Sequence, residues 1–187
     1  MDWNAEVVEQ IETHWRTRLR PRLDGLTDDE YFWEPVEGCW TVSRRGQSSA
    51  QRSFGQGEFT WDYGDNHDPE PVTTIAWRLG HLASGLAQSV SRRFGGPEVD
   101  LDTFEYAGTA DQALRQLDDN FAAWIDAVRR EGEAGLLRPQ GWPPAFADAP
   151  MARLVLYSNV ELVHHGAERS ASSGTSTYAW AAADLLV

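Results

Sequence analysis

Towards the C-terminal end of the chain, Met151, Leu154, Ser158, Glu161 and His165 follow one another at alternating steps of three and four. An α-helix gathers residues at that spacing onto one face, and such a face is built to meet a partner helix. The stripe begins apolar and ends ionisable. Burying a carboxylate one turn from an imidazole is costly unless something offsets it. A divalent cation does so, and the lone His81, far upstream, is the candidate third ligand.

The other strong periodicities are also helical. Val7, Ile11, Trp15 and Leu19 recur at every fourth position and predict a helix over 4–23, with Pro21 near its end. Thr27 and Glu30 have the capping-box pattern of a short helix through Tyr31 and Trp33. Ile75, Leu79, Leu82, Leu86 and Val90 mark a helix over 73–94 that stops at Gly95-Gly96. A second capping box, Thr109 to Gln112, opens a helix carrying Leu114, Leu117, Phe121, Trp124 and Val128, ended by Gly132 and Gly135. Asp148 and Pro150 suit the start of a last helix over 150–171.

Between Gly46 and Pro71 the chain is rich in Gly, Ser, Gln, Asp and Asn, with no helical or strand period. A loop of that length is uncommon in a compact domain unless it works on something. Its Phe54, Phe59, Trp61 and Tyr63 fit either a lid or a surface excursion held down by aromatics. Four long amphipathic helices without strands predict an all-α four-helix bundle, one domain over 1–187, with this long loop between its first two long helices. Beyond Ser170 the tail is small and polar, then apolar over Tyr178–Val187, which suits a short extra helix.

A formal net charge of −13 disfavours nucleic acid and anionic membrane as partners. One cysteine, Cys39, excludes an internal disulfide and suits a reducing compartment. The acidic N-terminus has no apolar signal-peptide core, and no apolar run reaches membrane-spanning length. The expectation is a soluble cytoplasmic protein. Cys39 sits in a turn beside Trp40 and reads as structural. No Ser-His-Asp pattern, phosphate loop or dinucleotide fingerprint is present.

A lone histidine beside an apolar stripe is ordinarily a core residue, and His81 by itself says no more than that. Glu161 with His165 could form an i,i+4 ion pair, but such pairs belong on solvated faces and this one continues a core-facing stripe. Two imidazoles and a carboxylate suit Zn²⁺, with Ni²⁺ or Fe²⁺ as alternatives. His164 and Glu168 make a second i,i+4 pair, rotated by about 100° from the first. They are either alternative ligands or outer hydrogen-bond partners that orient the first pair. Trp40, Arg44, Trp77 and Arg78 are candidate substrate-binding residues, the arginines for a carboxylate; surface charge is the plainer reading of each arginine.

The segment Thr74-Ile-Ala-Trp-Arg-Leu-Gly-His81-Leu resembles the second-helix segment of the DinB-like superfamily. Glu161-Leu-Val-His-His165-Gly-Ala-Glu168 resembles its later metal-binding helix, and Tyr31-Phe-Trp33-Glu-Pro35 through Gly38-Cys-Trp40 is similar to members of actinobacterial type. The resemblance implies a four-helix bundle holding a divalent metal by three side chains, and a homodimer. The Glu-x-x-x-His form matches the mycothiol-dependent maleylpyruvate isomerase-like branch, which assigns His81, Glu161 and His165 as ligands. It further implies a thiol S-transferase, in which mycothiol or bacillithiol is activated on the metal for conjugation or isomerisation of an electrophile. The alternative is a non-catalytic, stress-associated DinB-like protein that binds metal or a small ligand. After Glu168 the sequence departs from the family pattern, reading Arg-Ser-Ala-Ser-Ser-Gly.

Overall fold

A computed structural model describes residues 1–64 and 71–167. Helix α1 (Trp3–His14) is capped by Asp2, whose carboxylate accepts from the Asn4 and Ala5 amides. It continues through a π-helical turn, Trp15–Leu19, into α2 (Arg20–Arg22). A π turn lengthens the helical repeat and rotates everything after it. Val8, Ile11 and Leu19, the last residue of the turn, are buried, whereas Val7 and Trp15 are only partly so.

The short helix α3 (Asp28–Tyr31) carries the capping box expected of Thr27 and Glu30, with both bonds present. Asp28 Oδ1 accepts from the Ala110 amide at 2.8 Å, and the Tyr31 hydroxyl donates to the Ala107 carbonyl at 3.0 Å. Both bonds fasten α3 to the segment 107–110. Helix α4 (Ile75–Phe94) is capped by Thr74 and stops at Gly95, whose φ of 74° is the left-handed conformation that glycine supplies cheaply. Helix α5 (Ala110–Leu136) starts at the Thr109 cap and kinks at Gly132. Helix α6 (Met151–Ala167) carries the stripe that ends at Glu161 and His165.

The widest helix–helix contact is between α4 and α5; α1 packs on α5, and α6 touches α4, α1 and α5. Leu117, Trp124, Met151 and Leu162 are fully buried at their centre. None of the helices is long and apolar enough to cross a membrane among the described residues.

The all-α expectation needs correction. The fold is mostly helical, but a three-stranded antiparallel sheet stands between α3 and α4, in the order β1–β3–β2. Its strands are β1 (Val42–Arg44), β2 (Arg52–Phe54) and β3 (Phe59–Tyr63). Trp61 is the register point, opposite Val42 on one side and Phe54 on the other. Two of the strands lie in the segment read as a loop. With three to five residues each, they are too short for a period to emerge, and β3 buries Thr60 and Asp62 as well as Trp61. The predicted extra helix over Tyr178–Val187 lies outside the described residues.

Candidate metal centre

The start of α4 is tied to the sheet. The Trp40 amide donates to the Val72 carbonyl and the Thr74 amide to the Trp40 carbonyl, each at 2.9 Å. The Thr74 hydroxyl bonds that of Thr41 at 3.0 Å, and the Thr41 amide donates to Asp62 Oδ2 at 3.0 Å. The Trp61 indole donates to the Trp77 carbonyl at 3.0 Å, and the Trp77 indole returns a bond to the Asp62 carbonyl at 2.8 Å. His81, one turn beyond Trp77, lies nearly parallel to both rings, with centroids 5.2 Å from Trp77 and 6.1 Å from Trp61. The sheet thus presses an aromatic roof on one face of the imidazole.

Opposite, α6 brings Glu161 and His165 to His81. Glu161 Oε2 lies 3.2 Å from His81 Nε2 and 3.3 Å from His165 Nε2. Side-chain exposures of 11%, 16% and 14% for His81, Glu161 and His165 place the group largely out of water. Each residue offers one ligand atom, and the three atoms lie within 4.8 Å of one another. Burial pushes the Glu161 carboxyl up, but hydrogen bonds and charge from His165 and His81 overcome it and hold it well below the usual carboxylate range.

The donor set fits a small divalent ion. Bonds of about 2.0–2.1 Å in tetrahedral array set neighbouring ligand atoms roughly 3.3 Å apart. The two imidazole–carboxylate separations fall at that spacing. Three protein ligands leave a tetrahedral ion one open position, the arrangement of catalytic rather than closed structural sites.

The other candidate residues are placed as follows. His164 is exposed, with its ring 4.9 Å from that of His165. Glu168 lies outside the described residues. Trp77 stacks on His81 and meets His165 edge-on at 6.3 Å. Arg78 lines a cavity of about 20 Å³ with His165, Leu19, Leu23, Leu79 and Leu82. Trp40 packs on Trp77 and Tyr63, at 6.0 and 6.2 Å. Arg44 pairs with Glu58 and covers the Phe59 ring, so it is engaged on the sheet.

Two contributors, Leu19 and Tyr157, escaped the sequence reading, and Trp61 was read as a lid aromatic without its strand. Trp61 lay in the supposed loop, although the aromatic alternation Phe59, Trp61, Tyr63 signals a strand. Leu19, the last residue of the π turn, lines the cavity beside His165. Tyr157 precedes Glu161 by one turn, and burial followed by the Glu161 charge pushes its phenol up. Cys39 is buried, as expected of a structural cysteine, and burial raises its thiol.

A family model described as the DinB superfamily matches residues 10–168. No curated protein and no solved structure gives a match.

Proposed function

This chain belongs to the DinB superfamily, and we propose that it holds a divalent metal through His81, Glu161 and His165 and presents it to a low-molecular-weight thiol. The observation that carries the metal reading is the convergence of one carboxylate and two imidazole ligand atoms within 4.8 Å, mostly out of water. Zinc is the first candidate, with nickel or iron behind it. Such an ion supplies positive charge that favours a thiolate over a thiol at neutral pH.

The chain's own residues supply the rest. Glu161 stays ionised and neutralises part of the charge in the site. Trp77 and Trp61 shield His81 from water. Arg78, which bonds the Thr73 hydroxyl through Nε and lines the cavity beside His165, is the proposed contact for an anionic group on the thiol or on the electrophile. The reaction class is S-transfer: the thiol proton goes to solvent, a C–S bond forms, and the electrophile's leaving-group bond or π bond breaks. A low-molecular-weight thiol of the mycothiol or bacillithiol kind is the co-substrate this reading requires, and a homodimer is the assembly.

A second reading is favoured by the cavity itself. At about 20 Å³ it has room for one water, and aliphatic side chains form most of its wall. That suits a protein which holds metal or a small ligand without turnover.

The test is metal content by plasma mass spectrometry on tag-free protein, beside His81→Ala and His165→Ala. Near-stoichiometric metal in the wild type, lost in both variants, supports the site. The loaded protein is then offered thiols with electrophiles. Tight metal without transfer selects the second reading, and no uptake of Zn²⁺, Ni²⁺ or Fe²⁺ sinks both.

A further inference from the structure

We propose that Tyr157 is a positioning residue for Glu161: its hydroxyl donates to the carboxylate oxygen that the imidazoles leave aside and so fixes which oxygen faces the metal. The inference rests on the metal reading above and assigns a role to a residue outside the three ligands.

Two neighbouring groups carry it. Tyr157 and Glu161 are four residues apart on α6, so their side chains are stacked on one face. Tyr157 is half-buried, but its hydroxyl oxygen is out of water and makes no hydrogen bond of good geometry. It lies close enough to Glu161 to feel the carboxylate charge. On the carboxylate, Oε2 takes both imidazoles, at 3.2 and 3.3 Å, while Oε1 has no such partner among the described contacts. A buried donor without an acceptor thus stands one helix turn from a carboxylate oxygen to which neither imidazole donates. Leaving that donor unmade is costly, and turning the phenol or the carboxyl towards the other relieves it.

With Oε2 committed to a cation, the carboxylate still turns about its last bond. A donor on Oε1 stops that rotation and favours one-oxygen ligation. Outer hydrogen bonds of this kind are worth roughly 10–100-fold in metal affinity. A phenylalanine side chain at 157 keeps the ring and lacks this effect.

The experiment is Tyr157→Phe in the full chain, titrated with zinc against a chromophoric chelator and with cobalt by its visible spectrum. Urea unfolding of both metal-free proteins runs alongside. The expected result is zinc binding about tenfold weaker, a changed cobalt spectrum, and a metal-free unfolding midpoint equal to or above that of wild type. Equal zinc affinity in the two proteins overturns the assignment. So does a drop in metal-free stability that accounts for the weaker binding, because the hydroxyl is then structural. Wild-type protein that takes up neither ion removes the metal reading, and the role of Tyr157 goes with it.

Discussion

Trp61 and Trp77 hold each other's backbone: their rings lie 4.9 Å apart, and the indole of Trp61 bonds the carbonyl of Trp77 while that of Trp77 bonds the carbonyl next to Trp61, on Asp62. One residue is on β3 and the other on α4. The exchange locks a strand to the helix turn that carries His81. Buried indoles need a partner for their N–H, and here each finds it on the element the other must be fixed to.

Removing the Trp61 ring should therefore loosen the sheet from α4. Trp61→Ala is expected to cost about 3–5 kcal/mol of stability in urea unfolding. Trp61→Phe keeps most of the ring packing and loses only the indole bond, for about 1 kcal/mol. Equal losses in the two variants would show that the bond, and not the packing, dominates.

Glu161 predicts a pH dependence in the metal-free protein. Its folded pKa is depressed, so its contribution is fully present above the ordinary carboxylate range and is lost as pH falls through the lowered value. Wild type is expected to exceed Glu161→Gln in stability at pH 5–7, with the gap closing in strong acid. Paired urea titrations at pH 6 and pH 2 measure it, and a gap that widens on acidification contradicts the ionised carboxylate. In the metal-loaded protein, acidification instead acts through the imidazoles, whose ligating nitrogens protons contest with the metal. Metal should leave as pH falls while Glu161 is still charged.

Gly166 predicts a packing effect. A Cβ there would stand 2.7 Å from both Cγ and Cδ1 of Leu19. Leu19 is buried, so it cannot swing freely aside. Gly166→Ala should cost about 1–3 kcal/mol by thermal unfolding, and adding Leu19→Ala should return part of the clash energy. Additive losses would mean that the two sites do not share the strain.

The sequence made α4, α5 and α6 readable because each keeps one buried stripe over four or more turns. Leu114, Leu117, Phe121, Trp124 and Val128 of α5 are all buried. The meeting of His81, Glu161 and His165 was legible for a related reason: Glu161 and His165 extend a core stripe. His81 was proposed as their third ligand from the residues alone, and the superfamily resemblance supported its pairing with α6. In α1 the stripe was read past Trp15, where the π turn changes the repeat without any signal in residue type. The sheet was missed because its register depends on partners distant in sequence. Arg44 and Arg78 look alike in sequence; Glu58, just ahead of β3, pairs with Arg44, whereas Arg78 bonds the Thr73 hydroxyl, and no local pattern announces either.

His81 and Glu161 are separated by 80 positions along the chain. In the unfolded polypeptide, closing a loop of that size carries a large entropic cost, so the three donor atoms are brought together only by the folded bundle. An ion bound there acts as a reversible cross-link between α4 and α6. Its affinity and the unfolding equilibrium are then one linked quantity: each tenfold excess of free ion over its dissociation constant adds about 1.4 kcal/mol to the native state. A chelator would be felt throughout the helices, far from the three side chains it empties.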